Sequence, residues 1–539
     1  MSSTLYRHGV VHSPADPFAE ALLVENGVVA WLGSDDTADG LVAGVDEVVE
    51  LGGALVAPGF VDAHVHLLET ALAAAGLDLT GASLPAVLDA VAAVAARRGA
   101  GDRRVVHGTG WDEGAWPEGR APTRAELDAA GQGLPVYLAR VDVHSAVVSS
   151  ALADLAGLRD LPGWSQDGLV VGAAHHAARD VALAVDAQER TALYRDALRR
   201  AAAAGIVAVH EQSAPHVDTR DGLRELLTTT ADAASALPLV VGYRAEACVT
   251  VDDARALLAD LPGLTGIGGD LNVDGSLGSR TAALRHPYAD APGTSGTLHL
   301  TAEQIANHVT AVTRAGSQAG FHVIGDRALD ELLLGMRAAA DVEGSAAIAA
   351  AGHRVEHAEM VDAHSLAQIL LLGLRLSVQP AFDATWGGPG GMYAARLGRG
   401  RAAALNPFAD LAAAGVPLAL GSDTPVTPFD PWGGVRAASA HHQADQRISA
   451  RAAFRAATRG GWRLAGLDHS GAGELRVGAP AHLAVWQAEH LVVQASRTST
   501  WSADARAGSP LLPDLGPDEP APRCLRTVRA GVVLHDALG

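Results

Sequence analysis

Residues 57–66 read Ala-Pro-Gly-Phe-Val-Asp-Ala-His-Val-His, and this stretch decides the fold. It has the form of a short apolar strand that ends at His64 and His66. Because side chains alternate between faces along a strand, residues two apart point to the same side. Two neutral imidazoles side by side suit a borderline divalent ion such as zinc. Taken alone, the pair fits two polar residues at a strand end equally well.

Three further residues extend the pattern along the chain. His322 lies in Gly-Phe-His-Val-Ile-Gly-Asp, His357 in His-Arg-Val-Glu-His-Ala-Glu, and Asp423 in Leu-Ala-Leu-Gly-Ser-Asp-Thr-Pro. Each ends or follows a short apolar run. A (β/α)₈ barrel carries its chemistry at the C-terminal ends of its strands. We therefore predict such a barrel, beginning at Val56, with later strands near 205–211, 240–246, 267–273, 319–324, 353–357, 374–379 and 417–422.

The ordered set of motifs resembles the amidohydrolase superfamily, specifically its YtcJ-like branch, the amidohydrolase 3 group. The motifs are APGFVDAHVH, GTGWDEGAWPEGRAPTRAELDAA, DGSLGSRTAAL, FHVIGDRA, RVEHAE and GSDTPV. They are spread over most of the chain. The fold class that we expect is α/β, a (β/α)₈ barrel with an inserted cap region and a small β-sandwich formed by both termini.

The domain organisation follows from where the apolar runs fall. Residues 1–56 alternate short apolar runs with turns, including an Asn26-Gly27 hairpin turn, and the tail has the same character. We expect residues 1–56 and 470–539 to form the sandwich, and 57–469 the metal-dependent barrel. Residues 67–204 are too long for a plain crossover, so they are predicted to be an insertion that caps the barrel mouth.

The composition excludes several classes of protein. The net charge of −21 argues against nucleic acid and anionic membrane surfaces as partners. There is no apolar run near 20 residues and no leader-like N-terminus, so we expect a soluble cytoplasmic protein. The two cysteines are far apart in sequence and fit buried thiols in a reducing compartment. A homodimer is left open.

The chain has no lysine, because all 40 basic residues are arginine. Many members of the resembled superfamily bridge two metals with a carboxylated lysine, which needs a primary amine. The resembled position, four residues before Asp-Gly-Ser, holds Asp270. An aspartate would reach a metal pair only if the backbone moved inward. We slightly favour a hydrogen-bonding role for Asp270 inside the barrel.

Without that lysine, the resemblance implies a site for one divalent ion, held by His64, His66, His322 and Asp423. Zinc is the first expectation, and iron and manganese also suit these ligands. His357 would face the water or the substrate oxygen and stabilise an oxyanion. Asp423 would shuttle the proton of a metal-activated hydroxide to the leaving nitrogen.

Structural alternatives exist for each of these residues. His322 fits a core histidine, His357 one held by neighbouring glutamates, and Asp423 a helix N-cap before proline. His210 and Glu211 are candidates for a second metal or a bridge, although a hydrogen-bonded pair is the default.

Aromatic residues in glycine-rich loops are candidates for the substrate pocket. Trp111, His144 and Trp386 are the candidates that we favour, with Trp116 as another. The tryptophans could instead anchor the cap on the barrel. Arg280 and Arg327 could bind a substrate carboxylate, but ion pairs under the loops are the preferred interpretation.

The expected function is metal-dependent hydrolysis of a small molecule at a non-peptide C–N bond, in an N-formyl or N-acyl amide. Hydrolytic deamination of a heterocyclic amine is the second expectation, and cleavage of a dipeptide or cyclic amide the third. A metal-binding protein without turnover is the rival from another class, although it would not need a proton shuttle such as Asp423.

Overall fold

The computed structural model describes residues 2–98, 103–493 and 509–538. The chain begins with strands β1 (Ser3–Arg7), β2 (Val10–Val11), β3 (Ala21–Glu25), β4 (Val28–Gly33), β5 (Glu47–Glu50) and β6 (Leu55–Pro58), and with the short helix α1 (Asp35–Ala38). The predicted hairpin is confirmed, since β3 pairs antiparallel with β4. Its turn residues Asn26 and Gly27 both have positive φ, as a tight two-residue turn requires.

Strand β7 (Phe60–Val65) starts the barrel, and helix α2 (Leu67–Ala75) follows it. The chain then forms the insertion, which has its own sheet, in the order β12-β11-β10-β9-β8, and its own apolar core. The elements of the insertion are β8 (Leu77–Asp78), α3 (Leu84–Arg98), β9 (Val106–Trp111), α4 (Arg124–Gly131), β10 (Val136–Arg140), β11 (Ser145–Val148), α5 (Ser150–Leu155), β12 (Leu169–Val171) and α6 (Gly172–Ala182).

The barrel resumes after α7 (Ala187–Ala203), and its strands pair in parallel in sequence order. They are β13 (Ile206–Ser213), β14 (Leu239–Arg244), β15 (Gly266–Ile267), β16 (Gln318–Val323), β17 (Arg354–His357), β18 (Arg375–Val378) and β19 (Leu418–Leu420). β13 pairs with β7, and the amide of Asp423 donates to the carbonyl of His64 at 2.9 Å where β19 meets β7. The predicted (β/α)₈ barrel is confirmed.

Helices surround the barrel because their apolar residues recur every three or four positions. In the helix Ala302–Arg314, Ile305, Val309 and Val312 are buried, and Thr301 forms a capping box with Gln304. The helices are α8 (Arg220–Ala231), α9 (Val251–Asp260), α10 (Ala302–Arg314), α11 (Asp326–Glu343), α12 (Ser345–Ala351), α13 (Ala363–Leu371), α14 (Pro380–Trp386), α15 (Met392–Leu397), α16 (Arg399–Ala402), α17 (Phe408–Ala413), α18 (Pro431–Ser439), α19 (Ala450–Arg455) and α20 (Gly461–Leu464).

Both ends of the chain contribute to a two-sheet unit beside the barrel. The C-terminal strands are β20 (Leu483–Gln487), β21 (Leu491–Val492), β22 (Leu512–Pro513), β23 (Arg523–Arg529) and β24 (Val532–Asp536). One sheet has the order β4-β3-β1-β5 and the other β2-β6-β20-β23-β24. Val24, Val56 and Val485 belong to the apolar cluster between them. In the described part of the chain, no helix combines the length and hydrophobicity that spanning a bilayer demands.

The fourth barrel strand differs from its prediction. The sequence predicts a strand over 267–273, but β15 ends at Ile267. Gly268 and Gly269 have φ values of 112° and 72°, so the backbone turns away from the strand direction at these two residues. Asp270, Asn272 and Asp274 therefore do not share one face of a regular strand.

Candidate metal centre

The end of β7 and the loop after β19 bring three ligand-type side chains together. His64 Nε2 lies 3.2 Å from Asp423 Oδ1, and His66 Nε2 lies 3.4 Å from the same oxygen. All three side chains are buried. The two imidazoles of the His-x-His motif thus converge on one carboxylate, in a group whose atoms are close enough to share a metal ion.

Asp270 lies between this group and two further histidines. Its Oδ1 is 3.1 Å from His322 Nδ1 and 3.6 Å from His357 Nε2. The same oxygen is 3.8 Å from His64 Nε2, and Oδ2 is 3.7 Å from His66 Nε2. The carboxylate therefore has four imidazoles around it, and its contact with His322 Nδ1 is a hydrogen bond inside the barrel of the kind that the sequence favoured for Asp270.

Three of these imidazoles have their outward nitrogen beside an oxygen. His64 Nδ1 lies 2.8 Å from Glu356 Oε2, and His357 Nδ1 lies 2.9 Å from Gln379 Oε1. His322 Nε2 lies 3.2 Å from the carbonyl oxygen of Gly275. When these outer nitrogens donate, the inner nitrogens carry lone pairs towards the centre, as metal-binding histidines do. His64 Nε2 is buried and has no hydrogen-bond partner in the described structure, so the residues fit a cation.

Glu356, the hydrogen-bond partner of His64, is held in place by Arg354. Arg354 forms a buried ion pair with Glu356, with Nη2 to Oε2 at 2.9 Å, and donates to the carbonyl of Ala63 at 2.8 Å. Its guanidinium also stacks 4.3 Å from the ring centre of Tyr243. This network lies inside the barrel and fixes the orientation of the His64 ring.

The carboxylates of the centre are ionised. Burial by itself raises the pKa of Asp270, but His322 and His357 hold that pKa well below its usual range. His64 and His66 likewise lower the pKa of Asp423 against the effect of burial. The same contacts raise the pKa values of His64, His66 and His322, so these imidazoles release protons when a divalent ion binds between them.

Two of the site residues have a strained backbone. His357 has a φ of 68° and Asp423 a φ of 56°, in the left-handed region that non-glycine residues seldom occupy. Such conformations persist where the surrounding structure holds them, and they cluster at functional sites. His357 is the last residue of β17, and Asp423 lies three residues after the end of β19.

A cavity of about 30 Å³ opens above the centre, with His322, His357 and Asp423 in its lining. Its polar wall contains Asp142, His144, Ser276, Glu359 and Tyr393. Its apolar wall consists of Leu277, Ile324, Phe382, Trp386, Met392 and Val426. Among the described residues that line this cavity there is no arginine.

The candidate pocket residues divide into two groups. His144 lies with its ring centre 5.0 Å from that of His322, and Trp386 packs on Phe382 in the cavity wall. Trp111 lies instead in the core of the insertion, where its Nε1 donates to the carbonyl of Leu138 at 2.8 Å. A tryptophan in a glycine-rich loop packs inward when a buried carbonyl accepts its N–H group.

His210 and Glu211 lie in β13, outside the metal-ligand groups formed by His64, His66 and Asp423 and by His64, Asp270 and His357. His210 Nδ1 lies 3.0 Å from Arg354 Nη1, and the carboxylate of Glu211 accepts from the amide of Leu67 at 2.8 Å. Burial raises the pKa of Glu211 to about 8. Because Leu67 follows His66 directly, Glu211 fixes the backbone beside a ligand, and no described contact joins it to Asp270.

Neither candidate arginine reaches the cavity. Arg280 forms an ion pair with Asp290 at 2.8 Å, as preferred from the sequence, and Arg327 is exposed. Asp142, in the cavity wall, accepts from Ser276 Oγ at 2.6 Å and lies 3.2 Å from Arg140.

Sequence reasoning missed the residues that orient the imidazoles. Gln379 follows β18 and supports His357, while Glu356 supports His64 rather than its own neighbour. In the sequence, each of these two residues is simply a polar residue within or after an apolar strand. That pattern does not show which histidine the residue contacts. The sequence suggests Glu359 only as one of the glutamates that could hydrogen-bond to His357, but in the structure it lines the cavity.

The fold and this centre define a class, the metal-dependent hydrolases built on a (β/α)₈ barrel. The sequence model of the Amidohydrolase family matches residues 47–535, and the chain belongs to that family. The predicted resemblance is thereby confirmed.

Individual relatives agree with this assignment. The chain is 28% identical to the protein LONG AFTER FAR-RED 3 of Arabidopsis thaliana, over 78% of this chain and 75% of the relative. It is 26% identical to the putative amidohydrolase YtcJ of Bacillus subtilis, over 79% and 81%. An N-substituted formamide deformylase of Arthrobacter pascens is 35% identical over 142 residues, 26% of each chain. A metal-dependent hydrolase from Pyrococcus horikoshii superposes with a TM-score of 0.70 at 26% identity, over 90% of this chain and 97% of the other.

Proposed function

We propose that the chain hydrolyses a non-peptide C–N bond in a small N-formyl or N-acyl amine, with the help of a divalent metal ion. The observation that carries this proposal is the convergence of His64, His66 and Asp423, with a hydrogen-bond partner on the outer nitrogen of His64. The similarity to an N-substituted formamide deformylase supports the choice of bond, over the 142 residues that match.

Zinc is the ion that we propose, because neutral imidazoles and carboxylates are its usual ligands. A bound divalent ion supplies two things, a water of lowered pKa and a polarised scissile carbonyl. The residues of the chain supply the rest, since His64 and His66 hold the ion and the carboxylates of the centre balance its charge.

Asp423 is the residue that we propose as the proton carrier. Its Oδ1 lies near both imidazoles, and the residue also lines the cavity. Its other oxygen, Oδ2, can take a proton from the attacking water and give it to the leaving nitrogen. The pKa of Asp423 lies below its usual value because of His64 and His66, so the carboxylate is unprotonated at neutral pH.

The lining of the cavity favours a substrate without a carboxylate. Asp142 and Glu359 both contribute oxygens to the wall, and no arginine lies among the described lining residues. An N-acyl amino acid or a dipeptide would bring its carboxylate against these groups, which costs free energy in a buried site. The cavity beside the centre is small, which favours a small acyl group such as formyl.

A substrate panel tests this function. Zinc-loaded protein is assayed with N-formyl amines, N-acyl amino acids, dipeptides and aminated heterocycles, and we expect the first class to give the highest kcat/KM. Asp423→Asn should retain bound zinc and lower kcat by about 10²–10⁴-fold. The matched control is Asp252→Asn, whose side chain is 88% exposed. Full activity of Asp423→Asn would refute the proton transfer, and a preference for aminated heterocycles would replace the amide assignment by deamination.

A further inference from the structure

We propose that a second cavity, at the N-terminal face of the barrel, binds a small organic anion that carries a carboxylate or phosphate group on an apolar body. The cavity has a volume of about 270 Å³. One wall comes from the two-sheet unit, with His12 and Pro58, and another from the outer helices, with Arg451 and Phe454. The cavity is larger than the one above the metal centre, and the two share no described lining residue.

The cavity and the metal centre lie at opposite ends of the same barrel strand. Pro58 lines the cavity just before β7 begins at Phe60, whereas His64 and His66 lie at the other end of that strand. β7 has 6 residues, so as a regular strand it separates its two ends by about 16 Å. A small molecule in this cavity therefore does not reach the metal ligands, and its binding is independent of the proposed hydrolysis.

Arginines outnumber acidic groups in the lining of this cavity. Arg451, Arg455 and Arg459 recur every four residues along one helical segment, so they lie on the same side of it. Arg459 is paired with Glu474, with Nη1 2.6 Å from Oε1. Arg451 and Arg455 have no acidic partner among the described residues. The cavity therefore carries an excess of positive charge, in a chain whose net charge is −21.

The guanidinium of Arg451 lacks a partner although part of it is buried. Its Nη2 is buried and has no hydrogen-bond partner in the part of the chain that the structure describes. A guanidinium always carries its charge, and a buried cationic N–H group without an acceptor costs free energy. His12, which also lines the cavity, brings no negative charge. Burial lowers the pKa of His12 to about 4, and its Nδ1 donates to the carbonyl of Leu511 at 2.8 Å. An oxyanion from outside the chain would supply the missing acceptor.

Other parts of the wall are apolar and rigid. Pro14, Pro58 and Pro510 line the cavity, together with Phe454. The ring of Phe454 packs edge-on against His12, with 5.0 Å between the ring centres. Proline rings and a packed aromatic ring have few conformations to lose when a ligand binds, so they can hold an apolar body at a small entropic cost. Cationic and apolar walls together favour an organic anion over inorganic phosphate.

The helical wall is held closely against the barrel. α19 continues into a π-helix over Ala456–Gly460, a rare form that is found frequently at functional sites. A Cβ atom at Gly460 would lie 2.4 Å from the carbonyl oxygen of Leu418 in β19, and one at Gly461 would lie 2.3 Å from Val61 Cγ1 in β7. These two glycines allow the helix to approach the N-terminal ends of both strands. The arginines are therefore mounted on a rigid support before any ligand binds.

Isothermal titration calorimetry of the zinc-loaded, full-length protein at low ionic strength tests the site. The probes are phenyl phosphate, benzoate, inorganic phosphate and the uncharged benzyl alcohol. We expect an aromatic anion to bind more tightly than the other two probes, and the tighter of phenyl phosphate and benzoate identifies the oxyanion. Arg451→Gln should weaken its binding about 10- to 100-fold and the exposed Arg455→Gln about 2- to 5-fold. The matched control is Arg255→Gln, a helical arginine whose side chain is 63% exposed, and it should bind like the wild-type chain.

Several results would overturn the proposal. No saturable binding of either aromatic anion would do so, as would equal affinity for benzyl alcohol or for inorganic phosphate. An anion held at the metal centre would be lost in His66→Asn and unaffected by Arg451→Gln, and that pattern for both aromatic anions would also contradict the site. Circular dichroism identifies a variant that has not folded. If Arg451→Gln does not fold, Arg455→Gln decides, and the same affinity in Arg455→Gln and Arg255→Gln would refute the role of the arginines.

Discussion

His353 immediately precedes β17 and His357 is its last residue; both are buried, but they have different neighbours. His353 accepts from the amide of Ala319 at 2.9 Å, and its other nitrogen lies 3.1 Å from Thr313 Oγ1. Protein groups therefore satisfy both of its nitrogens. Burial lowers the pKa of His353 to about 3, so the imidazole is neutral and structural.

His357 differs in having a carboxylate at one nitrogen. Gln379 lies at Nδ1 and Asp270 near Nε2, on the side that faces the cavity. Burial is common to both histidines, so it does not distinguish a ligand from a core residue. The surroundings of the two rings do, because His357 lies beside Asp270 and the cavity, whereas both nitrogens of His353 contact groups of the protein core.

The largest effect that we expect comes from Arg354, which lies between the two histidines. Arg354→Met leaves Glu356 buried without its counter-ion, which should lower the free energy of unfolding by about 3–5 kcal/mol. Urea unfolding of the metal-free protein measures this loss, with the half-exposed Arg314→Met as control. Equal stability of the two variants would show that the guanidinium of Arg354 does not stabilise the buried carboxylate of Glu356.

We expect a smaller effect, on metal affinity, from replacement of Gln379, the hydrogen-bond partner of His357. Gln379→Met removes the acceptor at Nδ1, so the ring loses its fixed orientation, and the affinity for the metal should fall about 10- to 100-fold. Competition with a chromogenic chelator measures that affinity. The comparison variant is His353→Gln, which should bind metal like the wild-type chain; weaker binding there would contradict the structural role of His353.

The smallest effect that we expect is on the pH dependence of the free energy of unfolding, through His353. The folded pKa of His353 is about 3 and the unfolded value about 6.5, so its contribution to stability is complete above about pH 6.5 and is lost as the pH falls towards 3. Between about pH 8 and pH 5.5 the loss from this residue is about 1.4 kcal/mol. Urea unfolding of His353→Gln should show a pH dependence weaker by that amount, and an unchanged dependence would disprove the assignment.

Sequence reasoning identified the parts of the site that depend on local spacing. The His-x-His pair and the residues that end later strands are predictable because a barrel collects strand ends at one mouth. His64, His66, His322, His357 and Asp423 all lie there. The barrel strands near 319–324 and 353–357 were placed for the same reason.

The remaining parts depend on contacts between distant segments. The conformation at Gly268 and Gly269 is set by the approach to Gly320, which is more than fifty residues later, so a regular strand was predicted there. The role of Trp111 depends on whether a carbonyl of the insertion accepts its N–H group. Neither contact leaves a periodic pattern in the sequence.

The glycine path beside β16 ties three positions to one another. A Cβ atom at Gly268 or Gly269 would collide with Gly320 or with the side chain of Gln212, and one at Gly320 would collide with Gly269. A larger residue at any of the three positions would therefore displace the backbone that places Asp270 beside the imidazoles, so these glycines constrain one another although more than fifty residues separate them.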